Sequence, residues 1–352
     1  KKMNKFSNFS NFFPYYLSSK LDFFFQQVGN FENIITKNEK RVIDRPIFIC
    51  GLARSGTTAL LDVLNKNNDT ASFLYKDLPF FKSLISWNLI SDFYYKGVEP
   101  FPRYHGDGLK VSPNSPDAFE ELIWKEFIQD YNLNGIFQLL FENYENKKFE
   151  NYYKTQIKKI LAIRGNKKRY LSKGNYNILR IKYIKKIFPD AKFIVCFRDP
   201  LENAQSALKV HENFKSFSKK NKYFDKILSH LCHFEFGNMR KSFNFSGFNL
   251  ERESFDDEIF YYVNQWYKIY NIVNKYYSEE KNIIFIDNQT MIDNPKSINI
   301  IIKKLGLPEQ QINLNKYSKK KYDVNNKLMS KKLIDTFLRL KDLETKTLFS
   351  NA

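Results

Sequence analysis

The stretch that most constrains this chain is Pro46-Ile-Phe-Ile-Cys-Gly-Leu-Ala-Arg-Ser-Gly-Thr-Thr-Ala-Leu60. Its apolar run, β-branched and aromatic, stands between a Pro and a Gly and predicts a short buried strand. Gly51 to Gly56 forms a tight loop, and Thr57 to Asn65 has helical periodicity. Strand, glycine-bounded loop and helix in direct succession turn several backbone N–H groups toward one point. Those donors and the helix dipole favour an anion. The outline is G-x-x-x-x-G, but a nucleoside-triphosphate loop continues G-K-[ST], its Lys reaching the β- and γ-phosphates. Here Thr57 replaces that Lys and the cation comes earlier, at Arg54. Such a loop suits a ligand with less charge to neutralise than a triphosphate with Mg²⁺. A glycine turn carrying an incidental Arg is the plainer alternative.

The remaining pattern alternates short apolar strands with helices. Residues 1–45 form a polar-aromatic lead, helical in part. Residues 98–116 hold four Pro and two Gly and read as an irregular loop. Ser115-Pro116-Asp117 offers an N-cap followed by a first-turn Pro, predicting a helix to about Gln129. Further helices are expected at about 152–163, 178–188, 200–210, 256–277 and 295–305, and near the C-terminus after a basic loop at 315–332. Strands are expected at 169–172, 192–197 and 281–286. This order predicts an α/β fold, a three-layer sandwich with a central parallel sheet like that of P-loop NTPases. One domain is expected over 46–310, with a helical lid or insertion at about 212–280. Residues 311–352 would add a basic loop and a last helix to it.

Composition bounds the function. With 43% apolar and 17% aromatic residues the chain has ample material for a core, which excludes a disordered tail. No apolar run reaches the roughly 18–20 residues of a membrane span, and no clean signal-peptide core is present. Three cysteines give no disulfide framework or zinc spacing, so a soluble, cytoplasmic protein is expected. The net charge of +19 suggests an anionic partner. Abundant Lys, Asn, Ile, Phe and Tyr, all served by AT-rich codons, offer a compositional explanation instead. From Lys154 to Lys192 there are 13 basic residues and one acid, Asp190, so part of this field is expected to reach an anion site. No RNA-binding or zinc-finger signature favours nucleic acid. His230 and His233 lack further ligands for a metal.

The loop resembles the 5′-phosphosulfate loop of sulfotransferases that use 3′-phosphoadenosine 5′-phosphosulfate (PAPS), in the branch reading P-R-S-G-T-T. Lys173-Gly-Asn175, Phe188 to Arg198-Asp-Pro200 and Ser206 resemble that family's 3′-phosphate motif. Asn282 to Asp287, then Asn294-Pro295 to Leu307, resemble its last core strand and helix. Tyr104 to Asp107 through Glu121, and His233-Phe-Glu-Phe-Gly237, are similar to segments of bacterial members. The resemblance implies PAPS as donor and 3′,5′-ADP as product, without a metal. It implies cofactor contacts at Arg54, Ser55, Gly56, Thr57, Thr58, Arg198 and Ser206. Independently, Arg198 ends a strand, the edge where open α/β sheets bind ligands, and its planar fork suits a phosphate. A local ion pair capping the next helix is its alternative reading.

Sulfuryl transfer spreads negative charge over the sulfuryl and leaving oxygens, so positioned donors should matter most. Arg54 is the expected stabiliser of the leaving phosphate. Lys173 is a further catalytic candidate, although Gly174-Asn175 stands where Pro is common in the family motif. An alcohol acceptor wants a general base. Asp77 falls where relatives place a catalytic Glu; His105, with Asp107 to orient it, has a suitable unperturbed pKa. A turn-capping Asp and a loop His are the bland alternatives. Glu120 and Glu121 fit a solvated helix face. The expected partner is a small-molecule or glycan acceptor, with no membrane span, no specific nucleic acid and a homodimer left open. A P-loop small-molecule or nucleotide kinase, or a non-catalytic binder of anionic polymers, would be the competing functions.

Overall fold

A computed structural model describes residues 20–37, 41–127, 137–165, 167–221, 223–241, 243–245, 248–249, 258–315, 317, 322 and 326–350. The start of the N-terminal lead, residues 128–129 of one expected helix and much of the basic stretch after 315 lie outside these. Five strands build the central sheet: β1 (Ile47–Cys50), β2 (Thr70–Ala71), β3 (Arg169–Gly174), β4 (Lys192–Phe197) and β5 (Ile283–Asp287). They are hydrogen-bonded in the order β5-β4-β1-β3-β2, all parallel. The helices are α1 (Asp22–Lys37), α2 (Thr57–Leu64), α3 (Leu84–Tyr94), α4 (Glu121–Lys125), α5 (Lys147–Ile163) and α6 (Ile181–Ile187). They continue with α7 (Pro200–Lys220), α8 (Phe224–His230), α9 (Glu258–Tyr276), α10 (Asn288–Asp293), α11 (Lys296–Leu305) and α12 (Lys331–Glu344).

Side chains of successive strand residues point to opposite faces, and here both faces are apolar. Ile47, Ile49, Ile194 and Ile286 pack under α2 and α11, against Leu60, Leu64, Ile298 and Ile302. Phe48, Phe193, Val195 and Phe285 face the larger core supplied by α5, α6, α7 and α9. This double burial is why the strands read as continuous apolar runs. Aromatic residues fill much of this core: Trp124, Phe149, Tyr153 and Tyr183 pack ring on ring, all with under 1% exposure.

Register decides where a ligand can sit. Cys50 lies beside Gly174 and Val195, and Asp287 beside Phe197. Gly51, Asn175, Arg198 and Asn288, each following the last residue of its strand, therefore gather along one sheet edge. That is the carboxyl edge, where open α/β sheets bind ligands.

Several expectations need correction. The helix expected from Ser115 begins only at Glu121. Pro116 instead forms an antiparallel bridge to Leu74, and the Ser115 carbonyl accepts from Tyr75 N–H at 3.0 Å. Tertiary backbone pairing thus outcompetes a good N-cap. The 212–280 segment is no separate helical lid. Its lower bound falls inside α7, and short strands Phe243–Phe245 and Phe248–Asn249 pair with each other, the first also with Phe137–Gln138. Its helix α9 packs along α7 and belongs to the core. Among the described residues no helix is long and apolar enough to cross a membrane.

The turn out of β1 depends on a missing side chain. Gly51 has φ +146°, and a Cβ there would stand 2.4 Å from the Cys196 carbonyl oxygen. Strain of this kind costs on the order of 1–3 kcal/mol. Gly51→Ala should lower the urea midpoint accordingly at unchanged m-value; an unaltered midpoint would show that the loop has room to relax.

Candidate active site

The Gly51–Gly56 loop is held open from below. The Tyr270 hydroxyl of α9 donates to the Cys196 carbonyl at 2.8 Å and accepts from Leu52 N–H at 3.3 Å. It also meets the Ser55 hydroxyl at 3.0 Å. One O–H and two lone pairs are a phenol's full capacity, so the group is satisfied although buried. Burial pushes its pKa well up, so it stays neutral. From α7, Asn203 Nδ2 donates to the Ala53 carbonyl at 3.2 Å and to Ser55 Oγ at 3.1 Å. These anchors hold Arg54 in the left-handed region at φ +74°, a conformation that costs a non-glycine residue of order 1 kcal/mol.

Gly56 is the N-cap of α2 at φ +89°, and a Cβ there would meet Asn288 Oδ1 at 2.4 Å. Gly56, having no side chain, cannot itself cap α2. By helix geometry the first-turn amides have no intrahelical acceptor, and the macrodipole adds positive potential at that point.

These groups open onto a cleft of about 800 Å³, partly continuous with solvent, lined by Arg54, Gly56, Thr57, Thr58, Arg103, Arg198, Asn288 and Tyr322, among others. Arg54 Nε donates to Ser206 Oγ at 3.1 Å, and its Nη1 to Asp107 Oδ2 at 3.1 Å. Tyr322 also donates to Ser206 Oγ, at 3.1 Å, while its ring lies 5.3 Å from the Arg198 guanidinium carbon. Arg54, Ser206, Tyr322 and Arg198 thus form one unbroken line of contacts. Arg198 also pairs locally with Glu202 at 2.8 and 3.0 Å, while Asp199 caps α7 through the amides of Leu201 and Glu202.

Asp107 is the cleft's acid. It accepts from Arg103 Nε at 3.0 Å and from Arg54. Burial opposes its charge, but the two guanidiniums outweigh that and hold it well below the usual carboxylate range.

Other sequence candidates lie elsewhere. The Ser55 side chain turns inward, to Tyr270 and Asn203. Lys173, at the end of β3, is buried and paired with Asp117 at 3.2 Å. Asp117 also accepts from the Tyr75 hydroxyl at 2.9 Å; against the cost of burial, Lys173 and Arg103 keep it ionised to very low pH. Asp77 does not line the cleft. Its carboxylate accepts from Leu74 N–H at 2.7 Å and pairs with Arg164, which makes it the anchor of a buried turn. Burial raises its pKa more than Arg164 lowers it. His105 sits behind the Arg103–Asp107 pair, its ring 5.3 Å from Phe214 and 6.3 Å from His233. Burial and the neighbouring Arg103 and Arg54 charges push its pKa well down, so it is neutral. Its carbonyl, at 3.3 Å, takes a bond from Asn213.

Glu120 and Glu121 are not on a solvated face. Glu120 is buried and accepts from Ser172 and Asn177, both at 2.7 Å, and from Tyr170 at 3.0 Å. Glu121 meets Arg180 in a fork at 2.8 and 3.0 Å. Arg103, Asn288, Tyr317 and Tyr322 line the cleft without having been anticipated. Arg103 sits in the Pro/Gly-rich loop beside His105 and Asp107, a proximity that could have flagged it; Tyr317 and Tyr322 arrive from a remote segment with no local signal.

The loop, the strand-end arginine and the parallel sheet carrying both belong together in one recognised class. A model of the sulfotransferase family matches residues 46–240. That span is more than half of the chain, and the chain belongs to the sulfotransferase family. Among solved structures, a sulfotransferase of Mycobacterium tuberculosis is 12% identical at a TM-score of 0.45, covering 94% of this chain and 86% of that one. A sulfotransferase of Mycobacterium avium is also 12% identical at 0.45, covering 90% and 71%. One from Alicyclobacillus acidocaldarius is 13% identical at 0.41, covering 86% and 96%. No curated protein is significantly similar in sequence.

The depressed carboxylates carry a pH signature. Asp107 and Asp117 have folded-state pKa values below their unfolded values, so their contribution is present above about pH 4 and is lost as pH falls below it. Asp117→Asn should flatten this acid limb and cost about 3–5 kcal/mol at neutral pH by stranding Lys173. Chemical denaturation at several pH values measures both; parallel limbs for variant and wild type would remove Asp117 from the account.

Proposed function

We propose that this chain transfers a sulfuryl group from PAPS to a hydroxyl or amine of an acceptor and releases 3′,5′-ADP. The observation that carries this reading is the meeting of Arg54 and Arg198 in one cleft, although they stand 144 positions apart. They follow different strands, and each suits one end of a molecule with an anion at either end. The first-turn amides of α2, with Thr57 and Thr58, would take the 5′-phosphosulfate. Arg198 would take the 3′-phosphate, and Tyr317 and Tyr322 give the cleft aromatic walls suited to a purine. The absence of Lys at Thr57 argues against a triphosphate.

PAPS supplies the sulfuryl group when bound. Arg54 would stabilise the leaving phosphate oxygen, a role supported by its bonds to Ser206 and Asp107, which fix its direction beforehand. Such preorganised donors are worth most in a partly dry site. Lys173, neutralised by Asp117 outside the cleft, is left to hold the end of β3. Cys50 and Cys196 are buried thiols, which fits a reducing, cytoplasmic setting.

Titration with 3′,5′-ADP followed by thermal melting tests the reading. At 100 times its Kd the ligand should add about 2.7 kcal/mol, and Arg54→Ala should lower turnover of labelled PAPS by about 10²- to 10³-fold. An unshifted melting temperature at millimolar 3′,5′-ADP would count decisively against it.

A further inference from the structure

Helix α1 is apolar on two sides. On its inner side the Phe25 ring packs 4.4 Å from that of Phe80, and Gly29 lies so close to the Lys82 carbonyl that a Cβ would stand 2.3 Å from it. Glu32, also on that side, is buried. It accepts from Ser86 N–H at 2.8 Å and pairs with Lys159 at 3.1 Å. One carboxylate thus ties α1 to the first turn of α3 and to α5. Helix α3 turns Leu84, Trp87 and Ser91 inward. Both helices rest on α5 and on the short helical turn Tyr75–Ser83. Their opposite faces therefore look out on the same side of the molecule, side by side.

Helical spacing puts Phe24, Phe31 and Ile35 on the outer face of α1, and Leu89, Ile90 and Phe93 on that of α3. All six are 55–83% exposed. With Val28, the α1 residues alternate steps of four and three, the spacing that seats one helix against another. A single exposed apolar residue is ordinary. Six large ones on two adjoining faces are not, because monomers rarely expose contiguous apolar patches beyond a few hundred Å². From their exposures the six present roughly 800 Å², which is what one partner contributes to a standard protein–protein interface.

Charge decides what fits this face. On a chain of net charge +19, α1 and α3 together hold three acids, Asp22, Glu32 and Asp92, and one base, Lys37. An anionic bilayer or a nucleic acid would be met by a basic rim, and this is the part of a basic molecule that lacks one. Phenylalanines at the centre and few charges are the composition of an interface core between proteins. We propose that the α1–α3 face is a homodimer interface, packed across a twofold axis on the same face of a second copy. Like faces meet like in such a dimer, so each Phe-rich stripe finds an apolar partner of equal extent. The ties through Glu32 hold the two helices in place beforehand, so little ordering is left to oppose association. The inference is independent of the sulfotransferase reading.

Sedimentation velocity of the full chain, from nanomolar to tens of micromolar, tests it. Wild type should be dimeric at micromolar concentration. Phe31→Glu and Phe93→Glu should each raise the dimer dissociation constant by about thirtyfold or more, the size of a hot-spot loss. Both should keep the wild-type far-UV circular dichroism, because the positions are exposed. Leu338→Glu, at a half-exposed apolar position on α12, should leave the dimer unchanged. A monomer across the whole range, or a dimer indifferent to Phe31→Glu and Phe93→Glu, would overturn the proposal. So would equal weakening by Leu338→Glu. Monomeric protein that binds phosphatidylserine vesicles, and loses them on Phe31→Glu, would assign the face to a bilayer and overturn it as well.

Discussion

The site depends on one hydroxyl. Tyr270 ties the amide of Leu52 and the side chain of Ser55 to the carbonyl of Cys196. It thereby fixes the Gly51–Gly56 loop to the end of β4, the strand that delivers Arg198. Without such a tie, a loop containing a left-handed Arg54 would relax toward ordinary backbone angles and lose its aim. The tie comes from α9, 218 positions downstream of Leu52, so this long helix is as much a part of the loop's framework as the glycines are. Trp266, one turn earlier on α9, donates to the Arg198 carbonyl at 2.9 Å and extends the same control to the second arginine.

Charge is distributed in a way the net value hides. Part of the basic stretch from Lys154 to Lys192 is internal scaffolding. Lys159 pairs with Glu32, Arg164 with Asp77, Lys173 with Asp117 and Arg180 with Glu121. Arg169 spends its fork on the carbonyls of Arg45 and Leu305. Buried pairs of this kind specify one arrangement rather than add much net stability. The cations that line the cleft come from other places: Arg54, Arg103 and Arg198. Among them Asp107 serves as an internal counterion, keeping Arg54 and Arg103 aligned.

What was legible in the sequence follows from range. The strand-loop-helix at 46–65 and the strand at 192–197 are local patterns, and burial on both sheet faces forces their apolar runs. The position of Arg198 at the carboxyl edge was readable because it follows such a strand directly. The position of Ser115-Pro116 was not, since its partner is the backbone of Leu74. Asp77 looked catalytic by its place after the loop's helix, yet a buried Arg164, 87 residues away, turns it into an anchor. Glu120 and Glu121 looked solvated because their donors come from β3, the turn after it and the start of α6.

The division of labour between the two ends of the cleft is the central claim: the α2 terminus reads one phosphate and Arg198 the other. Binding of 3′,5′-ADP and of 5′-AMP, each to wild type and to Arg198→Ala, separates the two by isothermal titration. A charge-assisted contact of about 1.5–3 kcal/mol predicts that wild type prefers 3′,5′-ADP by roughly ten- to a hundredfold and that the preference disappears in the variant. A preference that survives the substitution, or equal weakening of both nucleotides, would contradict the account.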